Sequence, residues 1–151
     1  MKLKLLPLAT LLFFSVFLFG QDSKTIEINY PDNVNAPLSK SERAMIDEVY
    51  KDQADSKVYN NATFLKDIKH LLRNRILIYK DENPKTQKGM QLSQVPLFDT
   101  YNKNLKRDVD FKVDNFNPLK YQLDFFSKGT YVYKVDNTNY FIQVTSQYRK
   151  L

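Results

Sequence analysis

The chain has no cysteine and no tryptophan, and only one histidine and three glycines in 151 residues. Without cysteine there are no disulfides, no thiolate chemistry and no cysteine metal sites. The lipid-bearing cysteine that a bacterial lipoprotein carries after its signal is missing too. Phosphate-cradling loops and dinucleotide fingerprints need clustered glycines for close backbone approach, and beyond residue 20 only Gly89 and Gly129 remain. Neither HExxH nor GxSxG occurs. The single histidine, His70, has no serine, cysteine or second ligand at the spacing of a triad or a zinc site, and its place on the flank of a helix reads as exposed. No catalytic residue, metal ligand or cofactor motif is legible, so the chain reads as non-enzymatic.

What is present begins with MKLKLLPLATLLFFSVFLFG. Lys2 and Lys4 precede an apolar run from Leu5 to Phe19, followed by Gly20 and polar QDSK, which is the layout of a secretory signal peptide over residues 1–20 cleaved between Gly20 and Gln21. Pro7 interrupts the run, which falls short of the roughly 20 residues of a bilayer span, and no later stretch approaches that length. The expected product is a secreted or periplasmic protein without a transmembrane segment. Residues 21–151 then form a single domain, long enough to bury about two thirds of its unfolded surface. The formal charge of +6 becomes +4 once Lys2 and Lys4 leave. That mild bias, together with export, argues against a nucleic-acid partner. Abundant lysine and asparagine suggest a bacterial genome rich in A and T.

The polar and apolar pattern predicts an α+β domain: two amphipathic helices packed on an antiparallel sheet that ends in a C-terminal β-hairpin. KTIEINYP alternates with period two and reads as a strand. Ser39 and Glu42 form a capping box ahead of Met45, Ile46, Val49 and Tyr50, so a helix is expected over about 40–54. A second helix starts near Thr63 with the apolar stripe Phe64, Leu65, Ile68, Leu71 and Leu72. Ile76–Tyr79 reads as a buried strand, and a short strand is possible over 91–95. RDVDFKVD alternates Val109, Phe111 and Val113 with Asp108, Asp110, Lys112 and Asp114, which predicts a strand with a wet acidic face. A metal loop would need a turn glycine and a distal glutamate that the run lacks. Asp110 or Asp114 is then placed to pair with Lys134 across the sheet. In 117–129 the alternation of Tyr121, Leu123 and Phe125 favours a strand, although Asn117-Pro118 and Gly129 also suit the ends of a helix. In the last hairpin, a turn over Asp136–Asn139 sets Val135 against Tyr140, Tyr133 against Ile142 and Tyr131 against Val144. This makes one face apolar and leaves Phe141 on the wetter one.

Lys66, Lys69 and Arg73 recur at i, i+3 and i+7 and form a basic stripe on the second helix. The stripe is an ordinary solvated face or, in an exported protein, a surface for an anionic envelope component or an acidic partner protein. The signal ending FG before QD, and the tail FNPLKYQLDFFSKGTYVYKVDNTNYFIQV, resemble small secreted proteins of Bacteroidota of flavobacterial type that carry no assigned activity. The resemblance implies export and an antiparallel C-terminal sheet, and it transfers no site residue. The expectation for function is an exported, non-enzymatic protein that binds a partner protein or an envelope component. The alternatives are a small periplasmic hydrolase using Asp or Glu as acid and base, and an inhibitor or immunity protein.

Overall fold

The computed structural model describes residues 28–82 and 89–147. The signal segment, its cleavage point at Gly20 and Gln21, and the first half of the expected KTIEINYP strand, residues 24–27, lie outside them. The architecture is α+β: two helices pack on a four-stranded mixed sheet whose last two strands form an antiparallel hairpin.

Helix α1 (Lys40–Tyr50) starts at the expected capping box. The Ser39 side chain accepts from the Glu42 amide at 3.1 Å, and the Glu42 carboxylate accepts from the Ser39 amide at 2.7 Å. It buries Ile46, Val49 and Tyr50. It stops at Lys51, which adopts a φ of 48° and so lies in a region that favours glycine. A tight turn over Lys51–Gln53 continues to Ala54, where the sequence pattern placed the helix end. Helix α2 (Ala62–His70) is capped by Asn61, whose side chain accepts from the Phe64 amide at 3.0 Å. A wide π-helical turn, Leu71–Arg75, carries the chain straight into strand β1 (Ile76–Lys80).

The sheet order is β1-β4-β3-β2, with β2 at Met90–Gln91, β3 at Tyr131–Lys134 and β4 at Tyr140–Val144. Its hairpin has the expected register, including Tyr133 opposite Ile142 and Tyr131 opposite Val144. Tyr133, Val135, Ile142 and Val144 lie in the core under the helices. The two-residue β2 pairs with β3 in parallel, so the sheet is mixed. A parallel neighbour requires a long crossover, supplied here by residues 92–130. Gly89 precedes β2 at a close approach: an added Cβ would meet the Val132 carbonyl oxygen at 2.9 Å. Gly89→Ala is expected to push β2 off β3 and destabilise the fold by about 1–3 kcal/mol, as urea unfolding would measure.

Several expectations are corrected by the packing. RDVDFKVD is not a strand: Val109 stands 97 % exposed at a loop tip, and a short turn follows over Val113–Asn115. Asp108 pairs with Lys120, and neither Asp110 nor Asp114 bridges Lys134 among the described residues. Residues 117–129 are neither strand nor α-helix. Asn117 caps one turn over Pro118–Lys120, and only Tyr121 makes a ladder contact, to Leu97. β1 is an edge strand with one buried side, since Leu77 is exposed while Ile76 and Ile78 pack on the core. His70 is buried, edge-on to Tyr30 at 5.3 Å between ring centres, and burial pulls its pKa down. Phe141 is fully buried on the sheet face away from the helices, stacked on Tyr79 at 5.8 Å.

A candidate apolar cleft beside helix α2

The basic stripe faces the chain's own N-terminal strap, residues 30–37. Lys69 Nζ donates to the carbonyls of Val34 at 3.2 Å and Ala36 at 2.8 Å. Lys66 lies 4.4 Å from the centre of the Tyr30 ring. Arg73 donates to the carbonyl of Pro37 at 2.8 Å and to that of Asn33, and it grips both oxygens of Glu42 at 2.5 and 2.7 Å. The three cations thus pin the strap across α2. Arg73 also ties the π-turn after α2 to the start of α1, because Glu42 is the capping-box acid.

The arginine bond, opposed by burial and helped by Ser39, pushes the Glu42 pKa down to about 2 from 4.5. A depressed carboxyl contributes stability that is full above its unfolded value and is lost as pH falls. Arg73→Met is therefore expected to lower stability by about 2 kcal/mol at neutral pH. Its deficit against the parent should shrink as pH falls from 4.5 toward about 2, as denaturant unfolding at a series of pH values would read.

The acidic run does not form a metal cluster: among the described residues no group of three or more histidine, aspartate or glutamate side chains is arranged to hold a metal ion. Asp108 accepts from Lys120 Nζ at 2.5 Å and from the Tyr121 hydroxyl at 3.1 Å. Glu48 lies 3.4 Å from the same ammonium. Burial alone would lower the Lys120 pKa, but the Asp108 bond and the two negative charges outweigh it and raise it. Asp108 and Asp110 border an open groove of about 630 Å³ whose far side holds Asp136. The Ser93 amide and hydroxyl donate to Asp136 at 2.8 and 2.6 Å. They overcome burial and hold this carboxyl below its usual range.

The concavity with ligand character lies elsewhere. Phe64, Asp67, Ile68 and Leu71 project from one side of α2 and its π-turn at i, i+3, i+4 and i+7. They face Leu119, Tyr121, Leu123 and Phe125 of the 117–126 segment across a cleft of about 250 Å³. Tyr50 and Phe98 also line it. Tyr50 stacks on Tyr101 at 5.3 Å and meets Phe98 at 5.9 Å and Phe64 edge-on at 6.2 Å, so several rings brace this side. Burial, with the Tyr101 hydroxyl nearby, pushes the Tyr50 pKa up to about 12. Phe126, also in the lining, is 60 % exposed.

Two charged residues join this wall, each already engaged. Tyr30 of the strap donates its hydroxyl to Asp67, and burial plus this bond push its own pKa up to about 12. Arg75, only 4 % exposed, donates through Nε and Nη2 to the Thr145 carbonyl at 3.0 and 2.9 Å, and through Nη2 to that of Phe125. It therefore fixes the cleft's Phe125 to the end of β4.

Sequence reasoning assigned the cleft residues of α2 to the core. The available signal was the width of that stripe, which runs from Phe64 through Leu72. Compared with models of known protein families, with characterised proteins and with solved structures, the chain matches none.

Proposed function

We propose that this chain is an exported protein without catalytic activity that binds a solute or surface component of the cell envelope, taking one apolar group of it into the cleft beside α2. The observation that carries the reading is the cleft itself: about 250 Å³ walled largely by aromatic and aliphatic side chains, with a few polar groups in its lining. Ligand sites have this composition, and an apolar cavity of roughly 150 Å³ already accepts a benzene ring.

The hydrolase alternative has less support. It needs two carboxyl groups in one concavity, one of them protonated to act as acid. In the 630 Å³ groove Asp136 is held below its usual pKa and Asp108 is engaged by Lys120. The inhibitor alternative needs one contiguous apolar patch. The exposed large apolar residues Leu77, Met90, Val109, Val113, Phe126 and Tyr131 are spread over strands β1, β2 and β3, the 109–113 segment and the loop at Phe126.

Fluorescence titration with the neutral dye N-phenylnaphthylamine tests the reading. The emission is expected to rise and saturate at one dye per chain. It should be lost in Gln122→Trp, which places a large ring in the lining at an exposed position and leaves the core intact. A non-saturating signal, or one indifferent to Gln122→Trp, would contradict the proposal.

A further inference from the structure

The chemistry of the cleft wall bears on the charge of what enters it, a step that rests on the cleft being a binding site. Aromatic side chains reach the lining from α1, α2 and two loops, among them Tyr50, Phe64, Phe98 and Phe125. Ring faces carry the negative end of a quadrupole and attract cations, most strongly where water is excluded. Asp67 is the one carboxylate in the lining, and it makes no ion pair among the described residues. Its Oδ1 accepts from the Tyr30 hydroxyl, which holds the carboxylate in place.

Arg75 opposes a cation from the same lining, but its guanidinium is buried against the carbonyl oxygens of Thr145 and Phe125, whose dipoles offset its charge. Asp67 sits on α2 facing the space between the rings, half-buried rather than enclosed. An anion entering here would meet aromatic side chains and the Asp67 carboxylate, with Arg75 already held by the two carbonyls.

We infer that the cleft takes an organic cation: a small soluble amine or quaternary ammonium whose alkyl or aryl body lies among the rings and whose charge lies toward Asp67. The space of about 250 Å³ suits a body of one ring's size and not a long chain.

Three one-ring probes of different charge test this by calorimetry or by competition with the bound dye. Benzyltrimethylammonium is the cation, neopentylbenzene its uncharged carbon isostere, and benzenesulfonate the anion. The cation is expected to bind about tenfold tighter than neopentylbenzene, with benzenesulfonate weakest. Asp67→Asn should bring the ratio of cation to neopentylbenzene affinity, measured in the same variant, down to about one. In the unaltered protein, added salt should weaken only the cation, a readout independent of how well the variant folds. Equal binding of the cation and neopentylbenzene, or preference for benzenesulfonate, would overturn the charge assignment and leave the cleft reading standing. No saturable binding of any probe would overturn both.

Discussion

Lys120→Met is expected to destabilise the protein by about 2–4 kcal/mol and to lower its melting temperature by roughly 10 °C. Lys120 is 5 % exposed and sits between Asp108 and Glu48, with its ammonium 2.5 and 3.4 Å from their carboxylates. Breaking a buried pair by removing one partner costs about 3–5 kcal/mol, because the other charge is left without compensation. The lower range is expected because Asp108 and Glu48 keep 28 % and 44 % of their side-chain surface in water. Adding Asp108→Asn to Lys120→Met should recover part of the loss, since the charge then left without its cation is Glu48, which keeps 44 % of its side-chain surface in water and still accepts from Asn117. The pH dependence gives a second check. A lysine whose folded pKa is raised contributes stability that is complete below its ordinary value of 10.5 and disappears as pH rises through the folded value. The deficit of Lys120→Met should therefore narrow in strongly alkaline buffer. A deficit constant with pH would mean that packing of the lysine stem, not its charge, holds the 105–121 region together.

The second large effect is expected at Arg75. Arg75→Met removes the donors to the Thr145 and Phe125 carbonyls at a position with almost no access to water. Two partly buried acceptors left unsatisfied correspond to about 1–3 kcal/mol. Because Phe125 belongs to the cleft wall, the variant should also bind N-phenylnaphthylamine several-fold more weakly under conditions where it is still fully folded. Equilibrium unfolding and dye titration measure the two effects separately. Stability loss with unchanged dye binding would show that the wall keeps its shape without this anchor.

The elements that a periodic pattern can encode were legible in the sequence. The capping box at Ser39 and Glu42, the apolar stripe of α2, the β-branched run of β1 and the register of the last hairpin are all set by residues close together in the chain. The misread segments are those whose conformation is decided by distant partners. RDVDFKVD has a strand's alternation, yet Asp108 is drawn to Lys120 and Tyr121, and Arg107 donates to the Leu92 carbonyl at 2.9 Å. No ladder partner is left on that line, so Val109 is turned out to solvent. Asn117 likewise donates to the Met45 carbonyl and the Glu48 carboxylate, both at 2.9 Å, and its own oxygen caps the next turn, ending any strand before Leu119. His70 was read as exposed, and the basic stripe as a solvated face or an open surface for an anionic partner, because the strap that covers them lies more than thirty residues away in sequence. The cleft was hidden for the opposite reason. Its residues have ordinary core chemistry, and only the arrangement of 117–126 opposite α2 leaves space between them.

The most direct test of the cleft as a binding site is a methyl NMR titration of the folded protein with benzyl alcohol, a neutral probe of one ring. Saturable shifts are expected for Ile68, Leu71 and Leu123, which line the cleft, while Val58, Ile142 and Val144, fully buried in the core, should stay in place. Shifts that fail to saturate, or that spread evenly over the exposed Leu77, Val109 and Val113 with none at Ile68, would contradict the account.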